Sequence, residues 1–216
     1  WVLGVAATRS PDEVTFLFVD FKGGAAFDAL HALPHCVGVM TDLDAARSLR
    51  ALVSLGAELR HRERLLAAAG MRSIDDAADP APFPRLVVVV DEYAALLETH
   101  SSLASIFTDI AARGRSLGVH LILCTQRPAG VVRDAILANC ALRLSLRVAS
   151  AADSSAVIGT DAAARLPAKP VGRVLVSVAG AEPILAQGAH SGPGDVAAVA
   201  GRWRAAAPPR VPWCPP

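Results

Sequence analysis

"PRLVVVVDEYAALL", Pro84 to Leu97, is the stretch whose reading decides the fold. Leu86 to Val90 is apolar without alternation and ends in an acidic pair, Asp91 and Glu92. A continuous β-branched run marks a strand buried on both faces, and such strands belong to parallel sheets. In open parallel sheets ligands sit beyond the C-terminal strand ends, where this pair falls. The stretch alone leaves two readings of the carboxylates open. They can hold Mg²⁺ and orient a water for phosphoryl transfer, or they can be ordinary acids at a helix N-terminus, stabilised by its dipole.

Working outward, "VTFLFVDFKGG" (Val14 to Gly24) reads as a second buried strand closed by a glycine pair, and "CVGVM" (Cys36 to Met40) as a shorter one. From Thr41 the period turns helical, with Leu43, Ala46, Leu49, Val53, Leu59 and Leu66 on one side and Thr41 with Asp44 as a capping-box variant. That helix is expected to stop near Gly70, with Glu58, Arg60, Arg62, Glu63 and Arg64 forming a solvated face. After a Pro- and Asp-rich loop (71–85) and the Leu86 strand, an amphipathic helix carries Leu103, Ile106, Phe107 and Ile110, with Ser101 or Ser102 as its cap. "VHLILC" (Val119 to Cys124) is another apolar strand. "LRLSLRV" (Leu142 to Val148) alternates, which predicts one buried and one wetter face. "GRVLVSVAGAEPILAQ" (Gly172 to Gln187) reads as a hairpin turning at Ala179-Gly180. Strands alternating with helices predict an α/β fold, a mainly parallel sheet with helices on both faces and a C-terminal hairpin. Residues 1–187 form the expected domain, and 188–216 a Gly/Pro/Ala-rich linker or tail with one short helix near Val196 to Arg204.

Apolar residues make up 53% of the 216 and charged ones 19%, so the chain can bury a sizeable core. The formal charge of +1 confines any nucleic-acid contact to a local patch. Cys36, Cys124, Cys140 and Cys214 lie far apart without CxxC spacing, which fits a reducing compartment. No apolar run approaches the length of a membrane span. "HALPHC" (His31 to Cys36) lacks a second cluster at metal-ligand spacing. Arg143 and Arg147 alternate on one strand and read either as a contact to substrate or, the simpler case, as a solvent-facing row. There is no G-x-G-x-x-G after a strand, which excludes a dinucleotide-binding oxidoreductase, and no G-x-x-x-x-G-K-[ST]. The nearest glycine-lysine cluster, "DFKGG" (Asp20 to Gly24), has its lysine before the glycines and no hydroxyl residue for Mg²⁺.

"FVDFKGGAAF", "LPHCVGVMTDLD", "VVVVDEYAALLE", "ARGRSLGVHLILCTQRPAGVV" and "ILANCALRLSLRVASAADSSAVIG" together resemble successive blocks of the FtsK/SpoIIIE ATPase family, over about Trp1 to Val178. The likeness is strongest to the actinobacterial FtsK/SpoIIIE proteins and the EccC/EssC motors of type VII secretion. It implies a RecA-like P-loop NTPase core that uses ATP and Mg²⁺ to move protein or DNA, in a homo-oligomeric ring, expected to be a hexamer, or as tandem modules. It implies a cytoplasmic domain, tethered to the inner membrane only through segments outside this chain. It also implies that the Walker A loop comes shortly before Trp1. The 216 residues are thus expected to be a fragment and inactive alone.

By that resemblance Asp91 is the Walker B Mg²⁺ ligand and Glu92 positions the hydrolytic water. Gln126 of "TQRP" senses the γ-phosphate, with Thr125 beside it on the nucleotide side, and Arg115 of "GRSLGVH" reaches a neighbouring subunit's nucleotide. Arg113 is the alternative finger. Where many DNA-moving members read "DSR" this chain reads "DSS" at Asp153 to Ser155, and after Gln187 no winged-helix module follows. The rival reading is a non-catalytic ATPase-like module, serving as a regulatory or substrate-docking platform.

Overall fold

The computed structural model describes residues 1–21, 26–41, 45–77, 83–131 and 134–206. Lys22 to Gly24, Asp44 of the expected capping box and Cys214 lie outside the described residues. Two compact units emerge. The first holds residues 1–124 and 191–216, the second 125–190.

The first unit opens with α1 (Val2–Ala6) and β1 (Val14–Asp20), followed by β2 (Cys36–Thr41), α2 (Ala45–Ala68), β3 (Arg85–Val90), α3 (Tyr93–Thr99), α4 (Ala104–Arg113) and β4 (Val119–Leu123). The four strands form one parallel sheet in the order β2-β1-β3-β4. β1 and β3 are the central strands, covered on both faces of the sheet, which is why their sequences are unbroken apolar runs. Every residue of β1 is buried. One sheet face is filled by Val14, Phe16, Phe18 and Val89, with Phe27 and Leu33 packed on them. On the other, Leu17, Val19, Leu86, Val88 and Val90 are also buried. α2 and α4 supply further core from Leu52, Leu55, Leu59, Phe107 and Ile110. α2 ends two residues before Gly70, whose φ of +70° stops it where the sequence predicts.

Within the stretch read as linker or tail, Pro193–Arg202 form α7, with Pro at the start, where a missing N–H costs nothing. Val196 joins the core of the first unit, and Trp203 Nε1 donates to Ala6 O at 2.6 Å. Among the described residues no helix is long and apolar enough to cross a membrane.

The second unit contains α5 (Asp134–Leu137), β5 (Leu142–Leu146), α6 (Ala151–Ile158), β6 (Arg173–Val178) and β7 (Ile184–Gln187). Its strands form an antiparallel sheet, β5-β6-β7, so the α/β chain carries a parallel and an antiparallel sheet. The chain turns where expected: Ala179 and Gly180 both have positive φ and Ala181 N–H donates to Val178 O at 2.9 Å, a tight turn inside the five-residue connection 179–183. The faces of β5 run against expectation. Ser145 is buried, whereas Leu142 and Leu146 are more than half exposed. Ser145 pairs with Leu175, whose side of the sheet packs on Ile158 and Ala163 from α6 and the following turn.

Candidate active site

Asp91 and Glu92 leave β3 at the C-terminal edge of the parallel sheet, and the backbone around them is held from both neighbouring strands. Asp91 N–H donates to Val19 O of β1 at 3.0 Å. On the other side Cys124 N–H donates to Val90 O at 2.9 Å and Tyr93 N–H to Cys124 O at 2.8 Å. Tyr93 is buried edge-on against Phe107, ring centroids 5.4 Å apart, so the residue after the acids is anchored in the core. Asp91 is half-buried and Glu92 buried. Glu92 stands at the N-cap of α3 without a side-chain capping bond to that helix.

The two charges register on Cys124. The thiol pKa is pushed up first by the protein packed around it and then by the negative charges of Asp91 and Glu92. Both carboxylates therefore act on the end of β4, although Cys124 itself is exposed. A third acid, Asp20, ends β1 at the same edge; it is buried and accepts from Ala26 N–H at 3.0 Å. Among the described residues no three His, Cys, Asp or Glu side chains converge as a metal cage. Mg²⁺ in phosphoryl-transfer sites is held by one or two carboxylates, with phosphates and waters completing the shell, so Asp91 fits that ion without a cage.

Thr125 and Gln126 come next along the chain and belong to the second unit. Thr125 Oγ1 accepts from Arg127 N–H at 3.1 Å, and Gln126 is exposed. Arg115 is exposed and stands elsewhere, in the turn between α4 and β4, at the N-terminal edge of the same sheet. Val119 pairs with Leu86 and Leu123 with Val90, so Arg115 and the acid pair are separated by the length of a strand, roughly 15 Å or more. Arg115 thus points to no role at its own protomer's acids. Arg113, the alternative finger, is committed within the protomer. Its Nε and Nη2 donate to Asp109 at 2.7 and 2.6 Å and its Nη1 pairs with Glu63. The Asp109 bonds come first among the causes that raise its pKa further.

Four other stretches singled out in the sequence find partners within the chain. Glu58 and Arg62, expected on a solvated face, are 4% and 3% exposed. Arg62 Nε donates to Glu58 at 2.6 Å, its Nη1 donates to Leu117 O and Gly118 O at 3.1 Å each, and the guanidinium lies 4.5 Å from the Phe83 ring centroid. Arg143 is half-buried, donating to Cys140 O and Leu137 O at the end of α5, so it is not part of a solvent-facing row. In "DSS", Asp153 takes part in the Ser150 cap, and Ser154 is buried, its hydroxyl donating to Thr160 O and accepting from Ala163 N–H. His35 of "HALPHC" is buried with Nε2 2.7 Å from Arg9 O, and His31 is exposed.

Comparison with known proteins gives this arrangement a family. The type VII secretion system protein EssC of Staphylococcus aureus is 37% identical over 171 residues, covering 76% of this chain and 12% of EssC. The ESX secretion system protein EccC of Geobacillus thermodenitrificans is 34% identical over 180 residues, 78% of this chain and 12% of EccC. The chain therefore spans about an eighth of the length of these relatives. Among solved structures, the cytoplasmic domain of the Thermomonospora curvata type VII secretion ATPase EccC superimposes with a TM-score of 0.83 at 30% identity, over all of this chain and 27% of that one. The sequence profile of the FtsK/SpoIIIE family matches residues 1–130, more than half of the chain, and on these grounds the chain belongs to the FtsK/SpoIIIE family.

Proposed function

We propose that this chain is the body of an ATP-hydrolysing translocation motor, its phosphate loop supplied from outside these 216 residues. The observation that carries the reading is the acid pair at the C-terminal end of β3 with an exposed arginine, on a fixed turn, at the opposite end of the same sheet. Asp91 would hold Mg²⁺, which would neutralise charge developing on the phosphates of a bound nucleotide. Glu92, desolvated and backed by the anchored Tyr93, orients the attacking water and takes its proton. Gln126 reports on the γ-phosphate through its amide, with Thr125 beside it. Arg115 completes the site of the next module, since a planar guanidinium suits a transferring phosphoryl group. The module works in the cytoplasm, as one of a hexameric ring or of tandem ATPase modules, tethered to the membrane by other segments. The relatives being secretion proteins, its substrate is protein rather than DNA.

The test mixes two variants of the full-length protein. Glu92→Gln retains nucleotide binding and loses turnover by about 10²–10⁴-fold, because the amide keeps the shape but cannot accept the proton. Arg115→Ala also loses turnover, yet mixing the two restores part of it at interfaces that join an intact Glu92 to an intact Arg115. Arg115→Ala as active as the parent, or a mixture no better than its components, overturns the trans assignment.

A further inference from the structure

We infer that Arg62, held by Glu58, is a positioning residue for Arg115: it fixes the turn that presents the finger while touching no nucleotide itself. The inference rests on the trans-finger reading and deepens it.

A guanidinium 3% exposed has been taken out of water at considerable cost, and one carboxylate does not make such burial a stabilising device. What the burial achieves is read from the remaining donors. Nη1 of Arg62 serves the carbonyls of Leu117 and Gly118, 55 and 56 residues along the chain, two and three residues past Arg115. Glu58, one helical turn back on α2, takes the Nε–H, and Phe83 covers the guanidinium face, so its orientation is set from two directions.

The turn it grips is satisfied throughout. Arg113 O accepts from the Ser116 hydroxyl and Gly114 O from the N–H groups of Leu117 and Val119. Arg115 O accepts from Gly118 N–H, and Ser116 O from Ile74 N–H at 2.8 Å. Leu117 O accepts from Arg62, and Gly118 O from Arg62 and from Leu86 N–H at 2.8 Å. Every carbonyl from Arg113 to Gly118 is thus engaged, while the Arg115 side chain between them is exposed. A surface arginine with no task beyond its own protomer gains nothing from so fixed a base. One that must meet a phosphate on another module does, because an error of about 1 Å in placement costs on the order of 10²-fold in rate.

The test replaces the pair, not one partner, so that no charge is left buried alone: Glu58→Leu with Arg62→Met keeps volume, and swaps of this kind are often neutral for stability. In the 216-residue chain, amide hydrogen exchange of Leu117, Gly118 and Val119 is expected to quicken by about tenfold or more, the loss of a hydrogen bond to a charged group. The amides of Val88 and Val89 should keep their protection. In the full-length protein, kcat is expected to fall toward that of Arg115→Ala with KM for ATP within about twofold of the parent, as for a group acting only in the transition state. Arg62→Lys, with the charge but not the fork, restores part of the rate. Mixing the double variant with Glu92→Gln restores turnover as Arg115→Ala does, because in both the defect lies in the neighbour's site. Arg115→Ala impaired with the double variant unimpaired overturns this inference alone. Failure to complement, or exchange quickened throughout the sheet, also overturns it, by showing general loosening. Arg115→Ala as active as the parent overturns the finger reading and this inference with it, even if the local exchange changes.

Discussion

Gly114 opens the turn that carries Arg115, and replacing it by alanine tests how tightly that turn is built. Its backbone is ordinary, φ −58° and ψ −34°, so any residue could adopt it. The constraint is room. A Cβ there would lie 2.2 Å from Val119 O, 2.5 Å from Ile110 O and 3.1 Å from Ile110 Cγ2, and the two nearest atoms are backbone. Reaching even 3.0 Å from Val119 O requires an opening of about 0.8 Å at the first residue of β4, which is paired with Leu86. That movement strains Gly114 N–H to Ile110 O at 2.7 Å and Val119 N–H to Gly114 O at 2.8 Å. Overpacking costs about 1–3 kcal/mol and weakened backbone bonds about 1 kcal/mol more, so Gly114→Ala is expected to destabilise by about 3 kcal/mol. In a domain of this size that lowers Tm by about 6–12 °C, measured by thermal melts followed by circular dichroism. Gly56→Ala is the control of opposite sign. It sits inside α2 and its Cβ would meet only Arg60 Nη1, at 3.7 Å, so it gains up to about 1 kcal/mol of helix propensity. Gly114→Ala melting within about 2 °C of the parent would refute the reasoning.

Cys124 serves as a reporter for the acid pair. Since Asp91 and Glu92 raise its thiol pKa, Glu92→Gln is expected to speed its alkylation by iodoacetamide at pH 7–8 by roughly twofold, read by peptide mass spectrometry; an unchanged rate would mean the Glu92 charge does not act there. Burial holds the His35 pKa below its usual 6.5, against a smaller upward pull from Arg9 O. The folded state binds the proton less readily than the unfolded one, so His35 contributes stability above about pH 6.5 that is lost as pH falls below it. Denaturant midpoints between pH 7 and 5 should decline, and His35→Gln should flatten that decline; an equal slope in the variant would assign the dependence to other groups.

The parallel strands were legible because burial on both faces leaves unbroken runs, and Leu86 to Val90 could hardly be anything else. The acid pair was legible for the same reason, since a strand end is a place that can be counted to. Glu58 and Arg62 were not. An acid and a base four residues apart look alike on a solvated helix and beneath a turn, and what separates the two cases is a contact 55 residues away. Within α2 the period placed Val53 on the apolar side, yet it is 55% exposed, and Leu52 and Leu55 carry the core with Leu59 and Leu66. Leu142, Ser145 and Leu146 misled in another way. Alternation reveals that a strand has two faces but not which of them a following helix covers, and here α6 and its turn take the side of Ser145 and Leu175.

The placement of Asp91 with Glu92 at one end of the sheet and Arg115 at the other carries a rule of arithmetic for any assembly. Where each join is head to tail, it completes one site, that of the module whose acids meet the neighbour's Arg115. A closed ring has as many complete sites as modules, whereas a linear string has one fewer, its last site facing solvent. Full activity per module is then a measure of closure, and opening a single join silences one site without a change in any residue.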